Sequence, residues 1–209
     1  MNLRIVAPEN TRALMDAEQR KEAIRRIRLN MIPDGPTKTI DQMYYDTVDD
    51  RFFGLTSSRP EYSMRLRVVN GNTVEFRKEY DGIMHARTVT VECDAEEWLS
   101  GLPLMECDSW AEWDMKRVLE DLGPLIRRFR ISFKRDCWIE KKDGDTVVAI
   151  DSEIMFDGEP LFGEGISLLR IESPHKHPLW AVRMLEALDP DDRDVSLYRT
   201  GVERCQRLS

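Results

Sequence analysis

Tyr62 to Glu79 reads YSMRLRVVNGNTVEFRKE, and this stretch decides the fold. Its first half alternates apolar with charged side chains, so Arg65 and Arg67 share one face of a strand and the apolar side chains share the other. Asn70-Gly71 follows, a pair that favours the tight turn of a β-hairpin. The returning half alternates in the same way. The stretch therefore predicts two antiparallel strands with one apolar face and one charged face.

The rest of the chain repeats short strands joined by turns and adds four helices. Asp81-Gly82 and Asp143-Gly144 are turn signals between neighbouring strand candidates. Hairpin links of this kind favour an antiparallel sheet over a doubly wound parallel one, so the predicted fold class is α+β. Strands are predicted over residues 39–47, 62–69, 73–79, 83–93, 128–141, 146–154 and 167–173, and helices over residues 16–29, 95–102, 109–122 and 180–188.

Length and charge limit the kind of protein this is. The chain has 209 residues, 41% of them hydrophobic, which suits one domain spanning residues 1–209 with a substantial core. Its net charge of −8 opposes broad contact with a nucleic-acid backbone, so we expect no DNA partner. A local basic cavity is compatible with this acidic total, because the whole-chain charge says little about one pocket.

Cysteine usage and hydropathy indicate a cytoplasmic protein. Cys93, Cys107, Cys137 and Cys205 include no C-x-x-C pair, which opposes a zinc site and favours reduced thiols. Residues Met1 to Val6 do not form an apolar signal segment, and no apolar run approaches the ~20 residues of a membrane span. We therefore expect no membrane segment, whereas the sequence leaves the oligomeric state open.

Charged side chains recur two residues apart on one strand candidate after another. Such pairs share a face, and these faces combine arginines with single carboxylates. Arginine binds phosphate through two parallel hydrogen bonds, and carboxylate oxygens are ligands for Mg²⁺ or Mn²⁺. From this pattern alone two interpretations stay open, an ordinary solvated sheet face and a charged cavity for a phosphate ligand. The pairs are Arg65 with Arg67, Glu75 with Arg77, Asp151 with Glu153, and Arg170 with Glu172.

Seven short motifs follow one another along nearly the whole chain. They are Tyr44-Tyr45-Asp46-Thr47, Arg65-Leu66-Arg67, Glu75-Phe76-Arg77, Phe133-Lys134-Arg135, Ala149-Ile150-Asp151, Leu169-Arg170-Ile171-Glu172, and Ser196-Leu197-Tyr198 with Gly201. Together they resemble the triphosphate tunnel metalloenzyme (CYTH-like) superfamily. Within that superfamily the sequence is most similar to the polyphosphate polymerase domain of the vacuolar transporter chaperone (VTC) type. Each motif alone is weak, but seven in the right order are hard to obtain by chance.

The resemblance implies a closed antiparallel β-barrel with flanking helices, whose interior forms a tunnel for a triphosphate or polyphosphate. The inner wall would carry basic residues for the phosphates and acidic residues for Mn²⁺ or Mg²⁺. By this resemblance the catalytic residues are Arg65, Arg67, Arg135 and Glu172, further phosphate contacts are Arg77, Lys78, Arg87, Lys134 and Arg170, and the metal ligands are Glu172, Glu75 and Asp151.

The function that the resemblance implies is a metal-dependent, polyphosphate polymerase-like phosphotransferase acting on a nucleoside triphosphate or polyphosphate. A tripolyphosphatase, or a nucleotide or RNA 5′-triphosphatase, is the first alternative. The second alternative is a non-catalytic module that binds polyphosphate or a nucleotide. Departures from the family pattern favour this second alternative: Asn2-Leu3-Arg4 replaces an opening Glu-x-Lys, Val147 replaces a basic residue, and Leu197 replaces a lysine.

Overall fold

The structure is a computed structural model that describes residues 9–58, 62–80, 83–101, 107, 109–141, 145–190 and 194–208. The predictions made for Asn2-Leu3-Arg4, Asp81-Gly82 and Asp143-Gly144 lie outside these residues. The chain forms two compact units. The first unit comprises Met1–Thr39, Ser132–Met155 and Glu159–Thr200, and the second unit comprises Ile40–Ile131, Phe156–Gly158 and Gly201–Ser209.

The predicted strands and helices are present in the structure, and several elements are added to them. The additions are a first strand, two very short strands and two helices. The strands are β1 (Glu9–Met15), β2 (Met31–Pro33), β3 (Lys38–Thr47), β4 (Tyr62–Val69), β5 (Thr73–Tyr80), β6 (Ile83–Thr90), β7 (Leu125–Glu140), β8 (Val147–Phe156), β9 (Glu159–Pro160) and β10 (Ser167–Ser173). The helices are α1 (Ala17–Asn30), α2 (Arg51–Ser58), α3 (Ala95–Gly101), α4 (Trp110–Leu122), α5 (Leu179–Leu188) and α6 (Leu197–Leu208).

In the first unit, antiparallel strands pack one face against helices. The hydrogen-bonded order is β1, β10, β8 and the later part of β7, with β2 paired to the end of β7. Helix α1 begins at Ala17 because Asp16 and Gln19 cap each other's backbone amides. Burial of the apolar face against α1 and α5 is the main stabilising contribution here. That core includes Met15, Ile27, Ile150, Leu169, Ile171 and Met184.

In the second unit, the earlier part of β7 is followed in hydrogen-bonded order by β3, β4, β5 and β6. The predicted hairpin is confirmed, since Val69 pairs with Thr73 across a turn in which Asn70 and Gly71 both adopt positive φ, 51° and 78°. One face of this sheet packs on α3 and α4. That core includes Leu66, Val68, Val74, Phe76, Trp98 and Met115.

The α+β class with an antiparallel sheet and flanking helices is therefore confirmed. Within the described residues, the strand order ends at β1 on one side and at β6 on the other, and these two strands are not paired with each other. Closure into a barrel stays a prediction, as does the single domain over residues 1–209. Among the described helices, none is long and apolar enough to cross a membrane.

Candidate functional site

The second unit presents a charged cluster on the face of its sheet that turns away from the apolar core. The register sets Arg65 opposite Arg77 and Arg67 opposite Glu75, so all four residues share one face. Glu75 Oε1 lies 2.7 Å from Nη2 of Arg67 and 2.7 Å from Nε of Arg77. These four residues form the second-unit cluster, in which three guanidinium groups face one carboxylate.

This second-unit cluster is largely buried. The side chains of Arg67 and Glu75 are only 14% and 10% exposed. Burial alone would raise the pKa of Glu75, but the charge and hydrogen bonds of Arg67 and Arg77 outweigh it and hold that pKa below its ordinary value. Among the described residues, the buried Nε atom of Arg67 has no hydrogen-bond partner. Oε1 of Glu75 is also without a hydrogen-bond partner among the described residues, so charge attraction rather than hydrogen-bond geometry holds this pair.

The Tyr44-Tyr45-Asp46-Thr47 motif supports the second-unit cluster from β3. The Tyr44 hydroxyl accepts a hydrogen bond from Nη1 of Arg67 at 3.4 Å and donates one to Gln42 at 2.7 Å. Asp46 is fully buried and accepts hydrogen bonds from the backbone N–H groups of Thr47, Phe52 and Phe53, which anchors the first turn of α2. The motif thus orients one arginine and fixes the chain that follows β3.

The first unit presents a second charged cluster, again on the face that turns away from its core. The strand register aligns Arg12 with Arg170, and Arg170 with Ala149, so these residues share a face with Asp151 and Glu172. Asp151 is fully buried and accepts two hydrogen bonds from Arg135, at 2.6 Å from Nε and 2.7 Å from Nη2. The first-unit cluster comprises Arg12, Arg135, Asp151, Arg170 and Glu172.

Arg170 is only partly compensated by the carboxylates of the first-unit cluster. Its side chain is 18% exposed; it lies 3.9 Å from Asp151 and 3.3 Å from the half-exposed Glu172. Burial first, and then the neighbouring guanidinium of Arg135, lower the pKa of Arg170 to about 10, with Arg12 adding to the effect. Arg135 behaves differently, because Asp151 outweighs the effect of burial and raises its pKa. An anion beside Arg170 would relieve this repulsion.

Three predicted phosphate contacts lie on the opposite faces of their strands. Lys78 is aligned with His85, on the side of the sheet that faces the helices. Arg87 is on the same side and pairs with Asp114 of α4 at 2.7 Å. Lys134 is half-exposed and pairs with Glu153 at 2.8 Å. Lys78 and Lys134 directly adjoin arginines of the clusters in sequence, and adjacent residues of a strand point to opposite faces.

The carboxylates predicted as metal ligands are all paired with arginine. Both oxygens of Asp151 bind Arg135, Glu75 lies between two guanidinium groups, and Glu172 contacts Arg170. Nowhere in the described parts of the chain do three or more His, Cys, Asp or Glu side chains form a group that could hold a metal ion. Asp151 and Glu75 are thus engaged by guanidinium groups and nearly inaccessible, whereas Glu172 is exposed.

Arg12 is a site residue that the sequence analysis missed. The opening strand is predicted at Asn2-Leu3-Arg4, whereas the first strand of the described residues is β1, in which Asn10 and Arg12 have the same two-residue spacing. The signal that could have located it is the capping pair of Asp16 and Gln19, which fixes the start of α1 and so the end of the preceding strand.

The chain shares its fold with several solved structures. No protein-family model matches it, and comparison with curated proteins finds no match. The PH1819 protein of Pyrococcus horikoshii aligns over 94% of this chain and 99% of its own, with 14% identity and a TM-score of 0.53. A provisionally assigned adenylate cyclase from Bacillus halodurans aligns over 93% of this chain and 96% of its own, with 14% identity and a TM-score of 0.56.

A third similar structure is a provisionally assigned adenylyl cyclase from Hippeastrum, described as having a dominant triphosphatase activity. It aligns over 94% of this chain and 96% of its own, with 11% identity and a TM-score of 0.52. At these identities the likeness establishes a common fold and no more. The chain therefore shares the fold of these solved structures.

Proposed function

We propose that this chain belongs to the triphosphate tunnel metalloenzyme superfamily and binds the triphosphate group of tripolyphosphate or of a nucleotide. The single observation that carries the proposal is the excess of buried guanidinium groups in each cluster. The chain as a whole has a net charge of −8, so cations buried on sheet faces are not a product of composition. Burying a charge without full compensation is costly, and a polyanion supplies that compensation.

The geometry of each cluster suits phosphate. A guanidinium group offers donors in a planar fork that matches two phosphate oxygens, and it keeps its charge when partly buried. Arg67 and Arg170 also have carboxylates close by, which partly neutralise them before a ligand arrives. Arg67 lies on β4 and Arg170 lies on β10. Regular strands are rigid, so binding costs little conformational entropy of the backbone.

Hydrolysis of the bound triphosphate is the reaction that the comparisons favour. The structure from Hippeastrum is described as having triphosphatase activity, and its fold covers nearly this whole chain. Phosphoryl transfer depends mostly on positioning and on neutralising charge at the transferring group, which arginines can supply. Tripolyphosphate, nucleoside triphosphates and RNA 5′-triphosphates are the substrates to compare.

The order of the seven motifs supports a different reaction, chain growth by a polyphosphate polymerase of the VTC type. In this reaction the enzyme would transfer a phosphoryl group from a nucleoside triphosphate to the growing chain. The closed barrel is part of this proposal. Val147 is opposite Glu172 in the register, so the basic residue that the family carries at this position is missing beside that carboxylate. We therefore rank chain growth below hydrolysis, and a module that binds without turnover remains the third version.

Two measurements separate these versions. Calorimetric titration with tripolyphosphate and ATP measures binding, and a phosphate-release and chain-growth assay on the same preparation measures turnover. Arg67→Glu should abolish binding, because it turns a buried donor into a second buried carboxylate beside Glu75. Lys134→Gln is the matched control and should bind normally, since Lys134 lies on the other face of its strand. Absence of binding by the unaltered chain, or normal binding by Arg67→Glu, would overturn the proposal.

A further inference from the structure

The carboxylates of the two clusters hold arginines, and this constrains the form in which a ligand can bind. Asp151 uses both oxygens on Arg135 and is fully buried, so neither oxygen is available to an incoming ion without breaking that pair. Glu75 Oε1 lies 2.7 Å from both Arg67 and Arg77, Oε2 accepts a hydrogen bond from Nη2 of Arg77 at 2.9 Å, and only 10% of the side chain is exposed.

Glu172 is the most accessible of the three carboxylates. Its side chain is 54% exposed, and its contact with Arg170 is 3.3 Å long. Mg²⁺ is usually held by one or two carboxylates together with several waters and substrate phosphates, so Glu172 alone is a weak site for the ion before a ligand arrives. The guanidinium groups around Glu172 and Asp151 would also repel a divalent cation, since Arg12, Arg135 and Arg170 all act on the same charged face.

We propose that the guanidinium groups of each cluster bind the metal-free polyphosphate anion, and that Asp151, Glu75 and Glu172 are counter-charges of arginine that compete with the ligand, not metal ligands. This inference rests on the proposed function, because it concerns the form of the same ligand. Phosphate oxygens share or replace the carboxylates as acceptors for the guanidinium donors. A divalent cation then competes with the protein for the ligand, because it neutralises the phosphate charge that the arginines recognise.

Titration with sodium tripolyphosphate, once in EDTA and once in excess Mg²⁺, tests this inference on the whole chain. We expect binding in EDTA and at least about threefold weaker binding in Mg²⁺, since the chelated ligand has less charge to offer. Binding that requires Mg²⁺ would overturn the inference and leave the proposed function standing. Absence of binding under both conditions would overturn the proposed function as well, so the two failures are distinguishable.

Variants that replace a carboxylate with the neutral amide test the role of the carboxylates, because the two possible roles change the affinity for tripolyphosphate in opposite directions. Glu172→Gln and Asp151→Asn each remove a negative charge that competes with the ligand, so both should bind tripolyphosphate in EDTA more tightly, by about threefold to tenfold. Glu153→Gln is the control, because Glu153 is exposed and pairs with Lys134 and not with an arginine of the cluster, and it should bind as the unaltered chain does. Weaker binding of Glu172→Gln, the variant whose exposed position best tolerates the change, would assign Glu172 to the ligand or to a metal and overturn the inference.

Discussion

The two clusters balance their charges in different ways. In the second-unit cluster one carboxylate, Glu75, lies between Arg67 and Arg77 and serves both. In the first-unit cluster Asp151 binds Arg135 through two hydrogen bonds, and Arg170 has only a distant contact with it. The pKa of Arg67 is accordingly raised, because Tyr44 and Glu75 outweigh burial, whereas the pKa of Arg170 is lowered. An anion beside Arg170 would relieve its repulsion from Arg135.

The largest effect on the free energy of unfolding is expected for Asp151, the fully buried carboxylate that neutralises two guanidinium groups. Asp151→Ala leaves two buried guanidinium groups without their main counter-charge, and breaking such a pair typically costs about 3–5 kcal/mol. Urea unfolding measures the change in the free energy of unfolding. Glu153→Ala, which breaks only an exposed pair with Lys134, should change that free energy by less than about 1 kcal/mol. A loss for Asp151→Ala no larger than that of Glu153→Ala would contradict the described arrangement.

The second prediction concerns affinity. Arg170→Gln should weaken tripolyphosphate binding by about 30- to 100-fold, the scale of one or two charge-assisted hydrogen bonds. The change should leave the free energy of unfolding unchanged or higher, because it removes a poorly compensated buried charge. Arg67→Gln is the comparison; it should lose less affinity but some stability, since Glu75 and Tyr44 lose a partner. Equal behaviour of the two variants would remove the distinction between the clusters.

The smallest effect is a dependence of stability on pH. The pKa of Glu75 lies below its ordinary value of 4.5 in the folded chain, so its contribution to stability is complete above pH 4.5 and is lost as the pH falls through the folded pKa. Glu75→Gln removes this contribution and should flatten the acid side of the stability curve. Thermal unfolding followed between neutral pH and pH 3 measures the slope. If the stability of Glu75→Gln fell with pH as steeply as that of the unaltered chain, the loss of stability at acid pH would be due to other carboxylates.

Much of the fold could be predicted because it depends on local signals. The alternation from Tyr62 to Glu79 and the Asn70-Gly71 turn specify a hairpin and the face on which each side chain lies. The same rule explains why Arg65, Arg67 and Arg77 share one face. Strand periodicity therefore predicts correctly that these side chains share a face, whereas their role in binding stays a prediction.

Other parts of the site could not be predicted for definite physical reasons. Lys78 and Lys134 were predicted as phosphate contacts because each is next to an arginine in sequence. Adjacent residues of a strand, however, point to opposite faces. Strand β1 gives a weak signal, because Thr11 and Ala13 are poorly apolar, and Arg12 was missed with it. The sequence also cannot specify that Asp151 meets Arg135, since charge pairing across strands depends on register.

A crystal structure of the chain soaked in sodium tripolyphosphate without divalent metal tests the central claim most directly. Our account predicts phosphate density with oxygens about 3 Å from the guanidinium nitrogens of Arg170 or Arg67. Density bound elsewhere, with both arginines engaged only by Asp151, Glu172 and Glu75, would contradict it.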